Sequence, residues 1–191
     1  MKPRYFEDQT FRNLDCTKTP LPIGEYEYCT FMNCNFSGVN LSKVEFLETE
    51  FIDCNFSNAD LSHAIIQEVD FKNCKMLGMR FEKCNDIGFS ANFESCLLSH
   101  SSFYGMQLGN TTFWDSQLEA VDFVEADLKR VSLRNCNLQN ALFENTNLEQ
   151  ADLRGAKNYN LDPNINRLRG AKFSMPDVIR LLDKYKLKIE K

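Results

Sequence analysis

The chain has 191 residues, 27 acids against 22 bases and a formal net charge of −5, which fits one soluble domain or a small pair. No apolar run approaches the roughly 20 residues of a membrane span. The start, Met1-Lys2-Pro3-Arg4-Tyr5, lacks the apolar stretch of a signal peptide, so a cytoplasmic location is expected.

A weak rhythm begins at Phe6 and Phe11 and passes through Leu21 and Tyr26. It becomes strict from Phe31 onward, where every fifth residue is large and apolar: Phe36, Leu41, Phe46, Phe51, Phe56, Leu61, Ile66, Phe71, Met76 and Phe81. It resumes in a shifted phase at Phe93 and runs through Leu98, Phe103, Leu108, Phe113, Leu118, Phe123, Leu128, Leu133, Leu138, Phe143, Leu148 and Leu153. A period of five fits neither an α-helix nor a strand, so the fold must repeat as a solenoid. Two residues before each large one lies a small one, such as Cys34, Cys54, Ala59, Val69, Ala126 or Ala151, and the residue between them is often Asn or Asp. Residues two apart on an extended chain point the same way, so small and large residues share one interior and the other three of each five face water.

Two places break the rhythm. Phe81 to Phe93 is two residues longer than two units, which predicts a small bulge within residues 83–92, with Phe89 out of phase. A tolerated insertion and a functional feature both remain open there. The pattern is lost again over Asn158-Tyr159-Asn160-Leu161-Asp162-Pro163, which has turn chemistry, and returns at Leu168 and Phe173. Residues 1–157 therefore form the coil, and residues 158–191 hold closing repeats and an end element. Ser174 reads as a helix N-cap, with Pro176 and Asp177 in the first turn. Val178, Leu181, Leu182 and Tyr185 fall at i, i+3, i+4 and i+7, one apolar face of a short α-helix, with Leu187 and Ile189 adding a short strand or tail. The end of a stacked rod exposes apolar side chains and unpaired backbone, so this helix should cap it. Its apolar face exceeds what one rod end needs, which predicts a two-fold homodimer through Val178, Leu181, Leu182 and Tyr185.

Seven of the eight cysteines occupy the small inward slot and Cys16 a large one. Free cysteine behaves as a small buried hydrophobe, and neither CxxC nor a Cys–His zinc spacing occurs. The two histidines, His63 and His100, and the lone Trp114 fall at outward positions. No nucleophile or ligand stands at a recognisable spacing from either histidine, and there is no phosphate-binding glycine loop. No catalysis, cofactor or metal is expected.

Charge is distributed unevenly. Residues 1–153 hold 23 acids and 12 bases (net −11), and residues 154–191 hold 4 acids and 10 bases (net +6). No base lies between Lys43 and Lys72, while Glu45, Glu48, Glu50, Asp53, Asp60, Glu68 and Asp70 do; Lys83 to Lys129 is also free of bases and includes Asp122 and Asp127. This pattern disfavours direct nucleic-acid binding. The acids can form a partner-binding surface, or they can be solvated and bond the backbone at the corners of the repeat.

The repeat grammar resembles the pentapeptide-repeat family, A(D/N)LXX, most clearly at Ala59-Asp60-Leu61-Ser62-His63, Ala126-Asp127-Leu128-Lys129-Arg130 and Ala151-Asp152-Leu153-Arg154-Gly155. The resemblance covers about residues 25–157. It implies an all-β solenoid, a right-handed quadrilateral β-helix with four units per turn, here ended by a short α-helix cap. Residues 20 apart then stack at strand spacing, and roughly seven turns give a rod of about 34 Å. Met79 is expected between Ala59 and Ser101, and Met106 between Cys84 and Ala126, large beside small. Glu48 stacks with Glu68 and Glu50 with Asp70, a like-charge arrangement that destabilises strand pairs. Some members of the family are dimeric acidic rods that occupy the DNA-binding saddle of type II topoisomerases and protect them from quinolones or peptide toxins. Asn160-Leu161-Asp162-Pro163-Asn164-Ile165-Asn166-Arg167 is similar to the closing segment of topoisomerase-protecting immunity members. The plasmid quinolone-resistance branch carries long projecting loops, where this chain has only its small bulge. The resemblance thus implies DNA gyrase or topoisomerase IV as partner, bound through Glu48, Glu50, Asp53, Glu68, Asp70, Asp122 and Asp127. The alternative is a non-catalytic interaction scaffold with another partner.

Overall fold

The computed structural model describes residues 4–188; Ile189, assigned above to a terminal strand or tail, lies outside them. The chain winds into four faces. The first carries β1 (Arg4–Glu7), β3 (Gly24–Glu27), β5 (Glu45–Leu47) and β7 (Ile65–Gln67), all parallel. The second carries β2 (Thr10–Arg12), β4 (Thr30–Met32), β6 (Glu50–Ile52), β8 (Val69–Lys72), β9 (Ala91–Glu94) and β10 (Thr112–Trp114). The other two faces are built from single bridges, such as Asn35 to Asn55 to Lys75 and Ser102 to Asp122 to Leu142. Parallel connections of this kind are right-handed, and the result is a right-handed quadrilateral β-helix. The ladder continues past Lys157, since Asn147 bridges Arg167 and Asp152 bridges Lys172.

The five-residue period makes the interior a set of vertical columns. Phe31, Phe51, Phe71, Phe93 and Phe113 stack one above another with ring centroids 4.9 to 5.2 Å apart, the spacing the ladder itself imposes. Rings of neighbouring columns meet edge to face, as Phe46 and Phe51 do at 5.0 Å and 86°. Both geometries suit the aromatic quadrupole. Close stacking of the backbone has its own demand at Gly24, where a Cβ would lie 2.3 Å from the Arg4 carbonyl oxygen.

The small slots hold more than apolar groups. Thr49, Ser101, Ser116 and Thr146 are buried, and each hydroxyl donates to the carbonyl of a large residue on the preceding turn: Tyr26, Met76, Phe93 and Phe123 respectively. The thiols of Cys54, Cys74 and Cys96 do the same to Phe31, Phe51 and Phe71. All eight cysteines are free and buried. Burial pushes the Cys84 and Cys136 thiols up to about 12, which leaves almost no thiolate at neutral pH. Hydrogen bonds from Cys34 and Cys74 lower the Cys54 thiol instead, but all eight are buried out of a reagent's reach. Native protein should therefore show no rapid labelling by a maleimide, with full labelling after denaturation; fast native reaction of Cys54 and Cys74 would contradict this packing.

The bulge is confined to the run between Asn85 and Ala91. Asn85 still bonds the Ala64 carbonyl and Ala91 pairs with Val69, so six steps span what four span on the preceding turn. The excess turns Phe89 into the core, 4% exposed and 6.2 Å from Phe81. Met79 and Met106 are buried in small slots near it, and the Met79 N–H donates to the Ser101 hydroxyl at 3.1 Å.

The end element departs from expectation in its pitch. Asp177–Tyr185 is a 3₁₀ helix, not an α-helix, and Ser174 does not cap it, because its hydroxyl accepts the Gly155 N–H at 3.1 Å. At three residues per turn, residues i and i+3 eclipse, so the expected single stripe divides into two rows. Val178 and Leu181 are half-buried, Leu181 against the rod core, while Leu182 and Tyr185 follow Ile179 on the next row and stay exposed. The helix is pinned to the closing segment by Lys184 on Asp162 at 2.5 Å. Leu187 adds no strand. Among the described residues, no helix is long and apolar enough to cross a membrane.

Candidate protein-interaction surface

Outward side chains fall into three kinds of position in each five. The first, before the large residue, is where Asp and Asn recur. Here the side chain bonds the backbone two residues on: Asn55 to Ser57, Asp60 to Ser62, Asp122 to Val124, Asp127 to Lys129 and Asp152 to Arg154, at 2.9 to 3.1 Å. These are Asx turns that help form the corner. The Ser62 hydroxyl bonded to Asp60 holds that carboxyl below the usual carboxylate range. Asp122 and Asp127 thus serve the local turn, Asp127 also accepting from Asn147 at 2.9 Å. They lie apart from the other predicted acids, Asp122 on the fourth face and Asp127 towards the C-terminal end of the first.

The third position, two after the large residue, turns the corner with φ positive. Outside glycine this conformation is unfavourable, with Asn and Asp the best adapted. The corner between the second and third faces follows this rule with Asn13, Asn33, Asp53, Asn73, Asp115 and Asn135, Ser95 being the exception. The corner between the first and second faces obeys it only at Asp8: Tyr28, Glu48 and Glu68 follow at φ 52°, 45° and 54°, and Arg130 and Gln150 further along at 65° and 60°. Glu48, beside the Tyr28 hydroxyl, raises that phenol above its usual range.

The structure brings Glu48, Glu50, Glu68 and Asp70 together around that corner, with Asp53 one corner further on. Glu50 and Asp70 pair directly in the ladder. Their repulsion is relieved by two neighbours: Lys72 contacts Glu50 at 2.5 Å, and Asn92 donates to Asp70 at 2.8 Å. A notch of about 540 Å³ opens beside Glu68 and Asp70, lined also by Ser90, Asn92 and Asn110. Acids on the adjoining first face, Glu45 among them, were not assigned to the partner surface from the sequence. Glu25 and Glu45 pair directly there, and Glu27 accepts the Tyr5 hydroxyl at 2.5 Å. Their signal was the same spacing of 20 at outward slots.

The four faces and their Asx corners repeat the grammar of a known family. A model described as a pentapeptide repeat region matches residues 25–86 and 88–162. The chain belongs to the pentapeptide-repeat family. Ile87, where the two matched segments part, lies in the bulge. No curated protein matches the chain. Among solved structures, this pentapeptide-repeat chain is similar to a trypsin-treated variant of QnrB1, titled a plasmid-mediated fluoroquinolone resistance protein, with a TM-score of 0.78 and 19% identity over 98% of this chain and 92% of that one. A second trypsin-treated QnrB1 variant aligns with a TM-score of 0.62 and 20% identity, over 98% of this chain and 100% of that one. These identities speak to the fold.

Proposed function

We propose that this protein is a non-catalytic acidic rod that binds a type II DNA topoisomerase, gyrase or topoisomerase IV, by presenting carboxylates where DNA would present phosphates. The observation that carries this reading is the corner column of Glu48 and Glu68. They share the positive-φ corner conformation that Lys43, His63, Ala120 and Arg130 adopt elsewhere in the coil, so it is their stacked like charge, which costs strand pairs stability, that marks them. Glu50 and Asp70 flank them, and Glu25 and Glu45 extend the same negative surface. A saddle lined with Lys and Arg would attract such a column, and salt would screen the attraction. The likeness in fold to a fluoroquinolone resistance protein supports the choice of partner. Titrating the protein into gyrase supercoiling reactions, with and without a quinolone, tests the proposal. Inhibition, or protection from the drug, is expected. No effect on gyrase or topoisomerase IV would leave an interaction scaffold with another partner.

Assembly belongs to the same proposal. Leu182 and Tyr185 are 40% and 49% exposed, with Met175 and Leu187 also open to solvent near them in sequence, while Leu181 packs against the rod and Val178 is half-buried. We assign Leu182 and Tyr185 to the contact between two copies at the C-terminal end, with Val178 and Leu181 supporting it from beneath. Leu182→Asp should convert a dimer to a monomer by light scattering at micromolar concentration, leaving the coil folded. A wild type that is already monomeric would reduce the helix to a cap.

A further inference from the structure

The first face is divided by charge, and the bulge sits at the division. On its N-terminal side stand Glu25 and Glu45, with Glu48 at the adjoining corner. On its C-terminal side the face continues from Gln107 through Asp127 and Asn147 to Arg167. Lys129, Arg130 and Arg169 lie beside that run and are exposed. Two acids stand on this side, Asp127 in its Asx turn and bonded by Asn147, and Glu149 3.9 Å from Lys129. The excess positive charge is therefore carried mainly by Arg130, whose side chain donates to the neutral Gln150 at 3.0 Å, and by Arg167 and Arg169. Between the halves, Ile87 projects with 76% of its surface exposed. It is held there, since its N–H donates to Asn85 at 3.0 Å and its carbonyl accepts from Gln67 at 3.1 Å.

We infer that two copies of this chain associate side by side and antiparallel through their first faces, with Ile87 from each copy meeting at the two-fold axis. A two-fold contact must be self-complementary. An axis through the bulge satisfies this condition, because it exchanges the acidic half of one rod with the basic half of the other. Glu45 and Lys129 each lie two turns from the bulge, on opposite sides, roughly 10 Å away at the ladder spacing. The axis therefore sets Glu48 of one copy against Arg130 of the other, with Lys129 beside that pair and diagonal to Glu45, whose register equivalent on the far half is Asp127. Parallel packing of the same faces would set acid against acid. Exposed ion pairs contribute little each, so the association is weak and salt-sensitive, with the apolar contact at Ile87 in its middle. The contact is separate from the C-terminal end, and it does not depend on a topoisomerase partner.

Ile87→Cys tests this in the full chain, because the native thiols are all buried. A short bis-maleimide should join two copies through position 87 at about 0.05 M salt, and the yield should fall at least about tenfold at about 0.5 M salt as screening shortens the reach of the charges. Adding Glu45→Lys and Glu48→Lys should abolish the product, and adding Lys129→Glu and Arg130→Glu to that variant should restore it. Absence of the linked dimer at low salt would overturn the inference, as would a yield indifferent to salt. A dimer formed only through the C-terminal end keeps the two bulges beyond the reach of the linker, so it gives no product. Circular dichroism of each variant separates loss of pairing from loss of fold. If the reversed pair fails to fold, the salt dependence of the single Ile87→Cys variant decides the question.

Discussion

Phe51→Ala is expected to destabilise the coil by about 3–5 kcal/mol, the range for truncating a buried aromatic. The Phe51 ring is fully buried. It stacks between Phe31 at 4.9 Å and Phe71 at 5.2 Å and meets Phe46 and Phe56 edge-on at 5.0 and 4.9 Å. The cost is large because the cavity cannot close. Phe51 lies in β6, whose backbone is fixed by ladders to β4 and β8, and its column neighbours are held at strand spacing. Phe11→Ala should cost clearly less, since Phe11 is only partly buried and lines the N-terminal end of the rod beside an open cleft. Urea unfolding of both variants measures the difference. Equal losses would mean that the aromatic columns do not carry the stability assigned to them.

The second large effect concerns the surface. Replacing Glu48, Glu50, Glu68 and Asp70 by Lys is expected to weaken topoisomerase binding at least about a hundredfold, or about 2.7 kcal/mol, while the rod stays folded. All four side chains point outward. The variant gives up the partly exposed Glu50–Lys72 pair, worth about 0–1 kcal/mol, and the exposed hydrogen bonds of Asp70 with Asn92 and of Glu48 with Tyr28, none of which holds the core. Reversing Asp122 and Asp127 should matter less to binding, because their carboxylates close local turns and they lie away from the Glu48 corner. Unchanged affinity in the fourfold variant would assign binding to another surface.

The fold was legible because one physical rule, a large and a small residue on the same side of an extended segment, is written into nearly every five residues. The period gave the solenoid, and the family likeness gave the four-sided turn. The details the sequence hid are those where one residue type serves two purposes. Asp before a large residue reads as surface charge, yet in Asp60, Asp122 and Asp127 its oxygen is taken by the backbone two residues on. Phe89 read as out of phase, and it is the residue that keeps the column filled across the bulge. The i, i+3, i+4, i+7 spacing of Val178, Leu181, Leu182 and Tyr185 suits an α-helix, but the segment adopts three residues per turn. Its four apolar residues therefore point two ways. Glu48 and Glu68 were visible as acids, while their positive-φ corner conformation became visible only with the backbone.

Competition with duplex DNA tests the proposed function most directly. Binding of this protein to gyrase would be measured at about 0.05 M and about 0.3 M salt, with unlabelled duplex added stepwise. A rod that stands in for DNA should be displaced by the duplex and should bind more weakly at the higher salt. A complex that persists under saturating duplex, with an affinity unchanged by salt, would contradict it.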